Sequence, residues 1–293
     1  MGAQAAAPLG GLPTPVVTAA VTAALREDLG HGARDITTEA TVPADAQARG
    51  VLAARRPLRV AGLQLAAAAF TAIDPAVCLT PHHRDGADAE ASAVVAEIAG
   101  PARGLLTAER VALNFLNRLS GIATATRTAV AATAGTSARI AGTRKTTPGW
   151  RRLETYALRM GGGYDHRLGL DDGILIKDNH LALAGGVAPA VAAARRTAGH
   201  MCRVAVEVDT LDQLDAALAA GADVILLDNM ACPTLAEAVT RIGGRAVAEA
   251  SGGLTPEDIA AVAATGVDVI SLGWLTHSAP AADIGLDIDS PGG

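Results

Sequence analysis

From residue 203 onward, short β-branched runs alternate with amphipathic Ala- and Leu-rich stretches: RVAVEV, LDQLDAALAA, DVILLD, LAEAVTRI, AVAEA, PEDIAAVAA and DVISLG, in that order. Strand centres recur roughly every 20 residues, the spacing of parallel strands joined by right-handed helical crossovers. Thr255 reads as an N-cap, with Pro256 at N1 and acidic residues in the first turn, and Gly221 and Gly266 stand where helices end. Toward the N-terminus, ARIAG before TRKT and GILIK before DNH predict two more strands of the same sheet, with a helix over 150–160 between them. At least six parallel strands result, and a long helical pattern from Thr107 to about Ala134 leads into them.

The first hundred residues follow another pattern. A helix is predicted over 15–28 and another near 62–72, with strand-like runs at 48–55, 77–81, 92–99 and 103–106. This is an α+β module ahead of a βα barrel, divided as residues 1–118 and 119–288 with the long helix as the join. Residues 1–13, rich in Ala, Gly and Pro, and the final DSPGG are expected to fray.

Composition narrows the function classes. Hydrophobic residues make up 50% of the chain and aromatic ones only 2%, so the core must be Ala, Val, Leu and Ile, which suits helices packed on a parallel sheet. Few rings remain for stacking on bases. A formal charge of −6 with dispersed arginines gives no basic field for a nucleic-acid backbone. The longest apolar run, AGLQLAAAAF, is too short to span a bilayer, and no targeting segment is visible. Cys78, Cys202 and Cys232 lack metal-ligand spacing, so structural burial and a reduced, cytoplasmic location are expected.

The polar residues cluster at the predicted strand ends. Arg144 and Lys145 follow the first strand, Lys177 ends the next, and Glu207, Asp228, Glu249 with Ser251, and Gly273 end those that follow. In parallel βα sheets and barrels, ligands bind on this face. Cationic Arg144, Lys145, His166, Arg167 and Lys177 could hold a polyanion, while Glu207 and Asp228 could bind Mg²⁺ or sugar hydroxyls. The stretch ASGGLTPED reads as a Gly-rich turn opening a capped helix, a phosphate cradle built from backbone N–H groups and the helix dipole. The chain has 22 arginines and two lysines, and both lysines, Lys145 and Lys177, fall in this cluster. Lysine is a compact, mobile point charge that can follow an oxygen as it gains charge, which the planar arginine fork does less well.

These residues resemble the quinolinate phosphoribosyltransferase family across nearly the whole chain. The matching stretches include LREDLGHGARDITTEA (25–40), ERVALNFLNRLSGIATAT (109–126), TRKTTPGWR (143–151), GGGYDHRLGLDDGILIKDNH (161–180), VEVDTLDQL (206–214), ILLDN (225–229) and EASGG (249–253). The resemblance implies an N-terminal open-faced α/β sandwich followed by an incomplete α/β barrel. It also implies a head-to-tail homodimer, or a hexamer, whose active sites are completed by the neighbour.

The implied reaction joins quinolinate to 5-phosphoribosyl 1-diphosphate with Mg²⁺, giving nicotinate mononucleotide, CO₂ and diphosphate. By the same resemblance, Arg110, Arg144, His166, Arg167 and Lys177 form the cationic pocket for the substrate carboxylates and the diphosphate, and Lys145 stands beside the reacting centre. Glu207 and Asp228 lie near ribose and metal, and Ser251, Gly252, Gly253, Gly273 and His277 match the 5′-phosphate loops. Gly142, Asp165 and Trp274 depart from the family pattern, and Asp165 is expected to point away from the dianion pocket. A paralogue of the same fold associated with molybdate transport genes is the nearest alternative; NHLAL after Lys177 and the HRLGL run favour the quinolinate enzyme.

Overall fold

A stripe of apolar residues at helical spacing buries Val17, Val21 and Leu25 on one face of α1 (Thr14–Leu29), with Pro15 in the first turn, where a missing N–H is tolerated. This helix opens the computed structural model, which describes residues 10–289. Next come α2 (Ile36–Thr41), β1 (Gln47–Ala54), β2 (Leu58–Arg59), α3 (Leu63–Ile73), β3 (Cys78–Pro81), β4 (Asp88–Ala89), β5 (Val94–Pro101) and α4 (Ala102–Ala132). The later elements are β6 (Arg139–Ala141), α5 (Arg151–Met160), β7 (Ile174–Ile176), α6 (Asp178–Ala184), α7 (Val187–Thr197), β8 (Val204–Val208) and α8 (Leu211–Ala219). The chain closes with β9 (Val224–Asp228), α9 (Cys232–Ile242), β10 (Val247–Ser251), α10 (Ile259–Ala264), β11 (Val269–Ser271), α11 (Trp274–His277) and β12 (Ile284–Ile288). Among the described residues no helix is long and apolar enough to cross a membrane.

The chain divides into two units, one of residues 10–127, 152–162 and 278–289 and the other of 128–151 and 163–277. In the first, four antiparallel strands pair in the order β12-β1-β5-β3. The run at 103–106, expected as a strand, is the first turn of α4. Leu105, Ala108, Ala112, Leu116 and Leu119 are all fully buried at helical spacing, and an apolar run this short carries no period of its own. Side-chain pairs hold this unit together from inside. Arg118 Nη2 donates to Glu154 Oε1 at 2.9 Å, and Asp85 accepts from the N–H groups of Gly62 and Leu63 and from the Tyr156 hydroxyl.

The second unit is a six-stranded parallel sheet in the order β6-β11-β10-β9-β8-β7, an incomplete barrel with β6 and β7 at its edges. Alternation sets the faces: Val204, Val206 and Val208 are wholly buried, and Glu207 lies on the opposite side of β8. Gly221 and Gly266 have positive φ where helices end, as expected. Residues 178–197, to which no element was assigned from the pattern, form α6 and α7.

Three expectations are corrected. Thr255 does not cap a helix, because its N–H and its hydroxyl both donate to Asp258 Oδ2 at 2.8 Å; the carboxylate closes a turn, and α10 begins only at Ile259. The cysteines are not buried: Cys78, at the start of β3, is exposed, and Cys202 and Cys232 are half-buried. The arm expected to fray over 1–13 is tied down at its inner end. There Leu12 is buried, its N–H donates to Gln64 Oε1, and Gln64 Nε2 donates back to its carbonyl. Residues 1–9 of that arm lie outside the described residues. So do the last four of DSPGG, whose first residue, Asp289, donates from its N–H to the Arg49 carbonyl.

Candidate active site

Parallel strands bring their C-terminal ends to one edge of the sheet, and the register Ser251↔Asp228 sets two of the predicted residues side by side there. Glu207 lies in β8, and Lys177 immediately follows β7 on the adjacent strand. Lys177 Nζ donates to Glu207 Oε2 at 2.6 Å. The Asp228 carboxyl is pushed above its ordinary range, by burial first and then by the charges of Glu207 and Asp209, while Lys177 and Lys145 pull it back. Asp228 thus senses both lysines and the other carboxylate.

Asn229 ties this cluster to the next loop. Its side-chain amide donates to Asp228 Oδ2 at 2.6 Å and its N–H to the Ser251 carbonyl at 3.0 Å, from a left-handed backbone (φ 52°) that Asn tolerates. Gly252, at φ 89°, backs onto it so closely that a Cβ would fall 2.4 Å from Asn229 Oδ1. Because α10 starts at Ile259, the 251–253 turn does not open a helix as expected. Any phosphate there would meet backbone N–H groups without a helix dipole behind them. After β11, a Cβ on Gly273 would stand 2.9 Å from Lys145 Cδ and 3.4 Å from His277 Nε2, so the Lys145 stem keeps its place only because residue 273 is glycine. Thr276 Oγ1 holds the backbone of Lys145 by donating to its carbonyl at 2.7 Å.

The cationic side is built on the loops after β6 and before β7. Burial, and then the charge of Arg144, lowers the pKa of the Arg167 guanidinium, so two like charges sit within reach of each other. Arg167 Nη1 donates to the Gly173 carbonyl at 2.8 Å, but Nε of Arg167 and Nε of Arg144 are buried with no hydrogen-bond acceptor. An anion with several oxygens would satisfy them. Asp172 fixes the loop by accepting from the N–H groups of Leu168 and Gly169. His166 Nδ1 accepts from the Arg167 N–H at 2.8 Å, and its Nε2 lies 3.5 Å from Glu249 Oε1.

Of the thirteen residues given a role by the resemblance, twelve therefore lie in this one unit, and Arg110 belongs to the other, exposed on α4. Asp165 is exposed, and Trp274 is half-buried with its Nε1 enclosed and without an acceptor. Sequence reasoning passed over Asn229, Asp209 and Thr276. For Asn229 the signal was its place directly after a strand-ending acid, where an αL-tolerant residue turns the chain.

The family model described as the quinolinate phosphoribosyl transferase C-terminal domain matches residues 122–287, and that for the N-terminal domain matches residues 35–120. The chain is 46% identical to the nicotinate-nucleotide pyrophosphorylase (carboxylating) of Mycobacterium leprae, over 90% of this chain and 94% of that one. The structure of the nicotinate-nucleotide pyrophosphorylase from Francisella tularensis superposes with a TM-score of 0.91 at 36% identity, covering 95% and 98% of the two chains. That of NadC from Streptococcus pyogenes gives 0.92 at 39%, covering 96% and 99%. With both domain models matched in order and the strand-end residues assembled on one sheet edge, the chain belongs to the quinolinate phosphoribosyltransferase family, the carboxylating nicotinate-nucleotide pyrophosphorylases of NAD biosynthesis.

Proposed function

We propose that the strand-end site of this chain performs the family's pentosyl transfer with the following roles. Arg144, Arg167 and Lys177 receive the quinolinate dianion; the buried, acceptor-less Nε atoms of the two arginines support this. Lys145, packed against Gly273, stands at the reacting centre, where its compact charge meets the oxygens that gain charge as diphosphate leaves. The 251–253 turn, Gly273 and His277 take the 5′-phosphate. Glu207 and Asp228 face the ribosyl carbon, which becomes oxocarbenium-like as the C–O bond breaks and before the ring nitrogen closes on it. Once N-ribosylated, the ring nitrogen is positive and stabilises the electron pair left on the adjacent ring carbon when its carboxylate departs as CO₂, and that carbon then takes up one proton from solvent. The arginine pair serves to hold the ring still through both steps.

The residues fit Mg²⁺. That ion usually takes one or two carboxylates together with substrate phosphates and water, without an all-protein cage. Glu207 and Asp228 each direct one oxygen to a neighbour, Lys177 and Asn229, and retain the other; no cluster of three or more ligating side chains occurs among the described residues. When bound, Mg²⁺ would neutralise the leaving diphosphate. We read the assembly as a homodimer in which Arg110 of one copy completes the site of the other, supported by the exposure of Arg110 on α4. The free thiols support a cytoplasmic location.

The observation that carries this reading is the grouping of the chain's two lysines around two carboxylates at the strand ends, Lys177 bonded to Glu207 and both lysines acting on Asp228. Incubation with quinolinate, phosphoribosyl diphosphate and Mg²⁺ should release CO₂ in step with nicotinate mononucleotide. Product formed from nicotinate but not from quinolinate, or no CO₂, would overturn it.

A further inference from the structure

Glu249 is the middle residue of β10, two positions before its C-terminal end, and is 5% exposed, with its side chain against Ser271 and His166. The Ser271 hydroxyl, on β11, donates to Glu249 Oε1, and His166 Nε2 approaches the same oxygen at 3.5 Å. A carboxylate enclosed this far is costly unless donors surround it, so its partners are fixed by need. On the far side of the imidazole, Nδ1 accepts the Arg167 N–H at 2.8 Å. A backbone N–H can only donate. While that bond stands, Nδ1 presents a lone pair, the ring is neutral, and its one proton sits on Nε2, facing Glu249.

We infer that Glu249 is a positioning residue for the transfer reaction: it holds His166 as the neutral Nε2–H tautomer, whose Nδ1 in turn anchors the Arg167 backbone and so aims the Arg167 guanidinium. The chain of contacts runs Ser271, Glu249, His166, Arg167, from the floor of the sheet to the anion-binding loop. His166 then supplies no positive charge to the pocket, contrary to its expected place among the cations. The attraction for a dianion comes from Arg144, Arg167 and Lys177, and His166 sets where one of them points. A doubly protonated ring would lose the Arg167 N–H bond and place two N–H groups where one acceptor is required. The inference rests on the pocket reading above, but the tautomer it demands is a property of the chain without substrate.

The test has two arms. In ¹⁵N-histidine spectra at neutral pH, with the resonance identified by its loss in His166→Asn, the unliganded wild type should show a pyridine-type Nδ1 and a pyrrole-type Nε2. Glu249→Ala should abolish that fixed pattern and raise the KM for quinolinate by roughly tenfold, with less than about twofold change in the KM for phosphoribosyl diphosphate. Glu249→Gln keeps an acceptor for both donors and should recover the tautomer and most of the quinolinate affinity. Should the alanine variant not fold, the wild-type tautomer and the glutamine variant decide. An imidazolium at His166, equal rises in both KM values, or a glutamine variant no better than alanine would each overturn the proposal. A wild-type chain with the stated tautomer but no use of quinolinate would instead overturn the pocket reading alone.

Discussion

Lys177 reaches from a half-exposed position to donate its Nζ to Glu207 Oε2, 2.6 Å away on the neighbouring strand, where the carboxylate is only 13% exposed. In an enzyme that binds an anionic ring and an anionic sugar diphosphate together, this pair keeps each charge compensated until substrate arrives. Under the proposed roles, binding would exchange partners: the lysine would turn to an incoming anion, and the carboxylate to a sugar hydroxyl or a cation. A flexible point charge suits that exchange.

Lys177→Arg and Lys145→Arg should each lower kcat while leaving the thermal midpoint in place. The bidentate fork of arginine would lock onto Glu207 at the first position, and at the second it would press on Gly273, which already lies close to the lysine stem. Loss of one preorganised charge aimed at developing charge is worth about 2.7–4 kcal/mol, or roughly 10² to 10³ in rate. Near-normal turnover in both variants, measured by CO₂ release, would leave the chain's use of lysine at these two places without a chemical reason.

Glu207→Ala and Asp228→Ala should impair Mg²⁺-dependent binding of phosphoribosyl diphosphate more than binding of quinolinate, because carboxylates attract the metal and ribose hydroxyls and repel a dianion. For Glu207→Ala, quinolinate affinity should rise, since Lys177 loses its resident partner. Titration calorimetry with each ligand separately checks both signs. Loss of quinolinate binding with sugar-diphosphate binding intact would contradict the assignment.

The strands and most helices from 203 to 273 were legible because their signals are local: β-branched runs, amphipathic helices and αL glycines repeat within short windows; the cap read at Thr255 failed because the same polar residues close a turn. The misread segment at 103–106 and the unassigned β12 failed for opposite reasons. The first is too short to carry a period, and the second is defined by pairing with β1, as Arg55 and Asp287 show by joining side chains across 232 positions. The strand-end pattern likewise brought Glu249 to the correct edge, but its partner His166 lies in a loop before β7, and only the folded sheet brings the two together. Arg144 and Arg167 were both marked as anion-binding; that one depresses the pKa of the other is visible only in three dimensions.

Asp35 caps α2 by accepting the Thr38 N–H at 3.0 Å, and Thr107 on α4 donates to its other oxygen at 3.2 Å. The Thr38 hydrogen bonds hold its carboxyl below the ordinary range. The folded pKa lies under the unfolded one, so its contribution to stability is present above the unfolded value and is lost as the pH falls through the folded one. Asp35→Ala should cost about 1 kcal/mol at neutral pH. In thermal melts the gap between wild type and variant should close as the pH is lowered below the ordinary carboxylate range. A gap that persists in strong acid would assign the loss to packing and not to the cap.

Arg110 should act in the neighbouring subunit's site. It is exposed on α4 in the first unit, while every other predicted site residue belongs to the second, and the family pattern places an arginine of the long helix across the dimer. The idea makes a counting prediction. With Arg110→Ala and Lys145→Ala each inactive alone, unfolding and refolding them together in equal amounts gives about half mixed dimers for an isologous pairing. In each mixed dimer one site carries both lesions and the other carries neither, so roughly a quarter of wild-type activity should return. If Arg110 instead serves its own chain, every site in every dimer keeps one lesion and the mixture stays inactive. Mass spectrometry of differently tagged chains confirms that subunits have exchanged; persistent inactivity after confirmed exchange would reject the shared site and leave Arg110 a surface residue of α4.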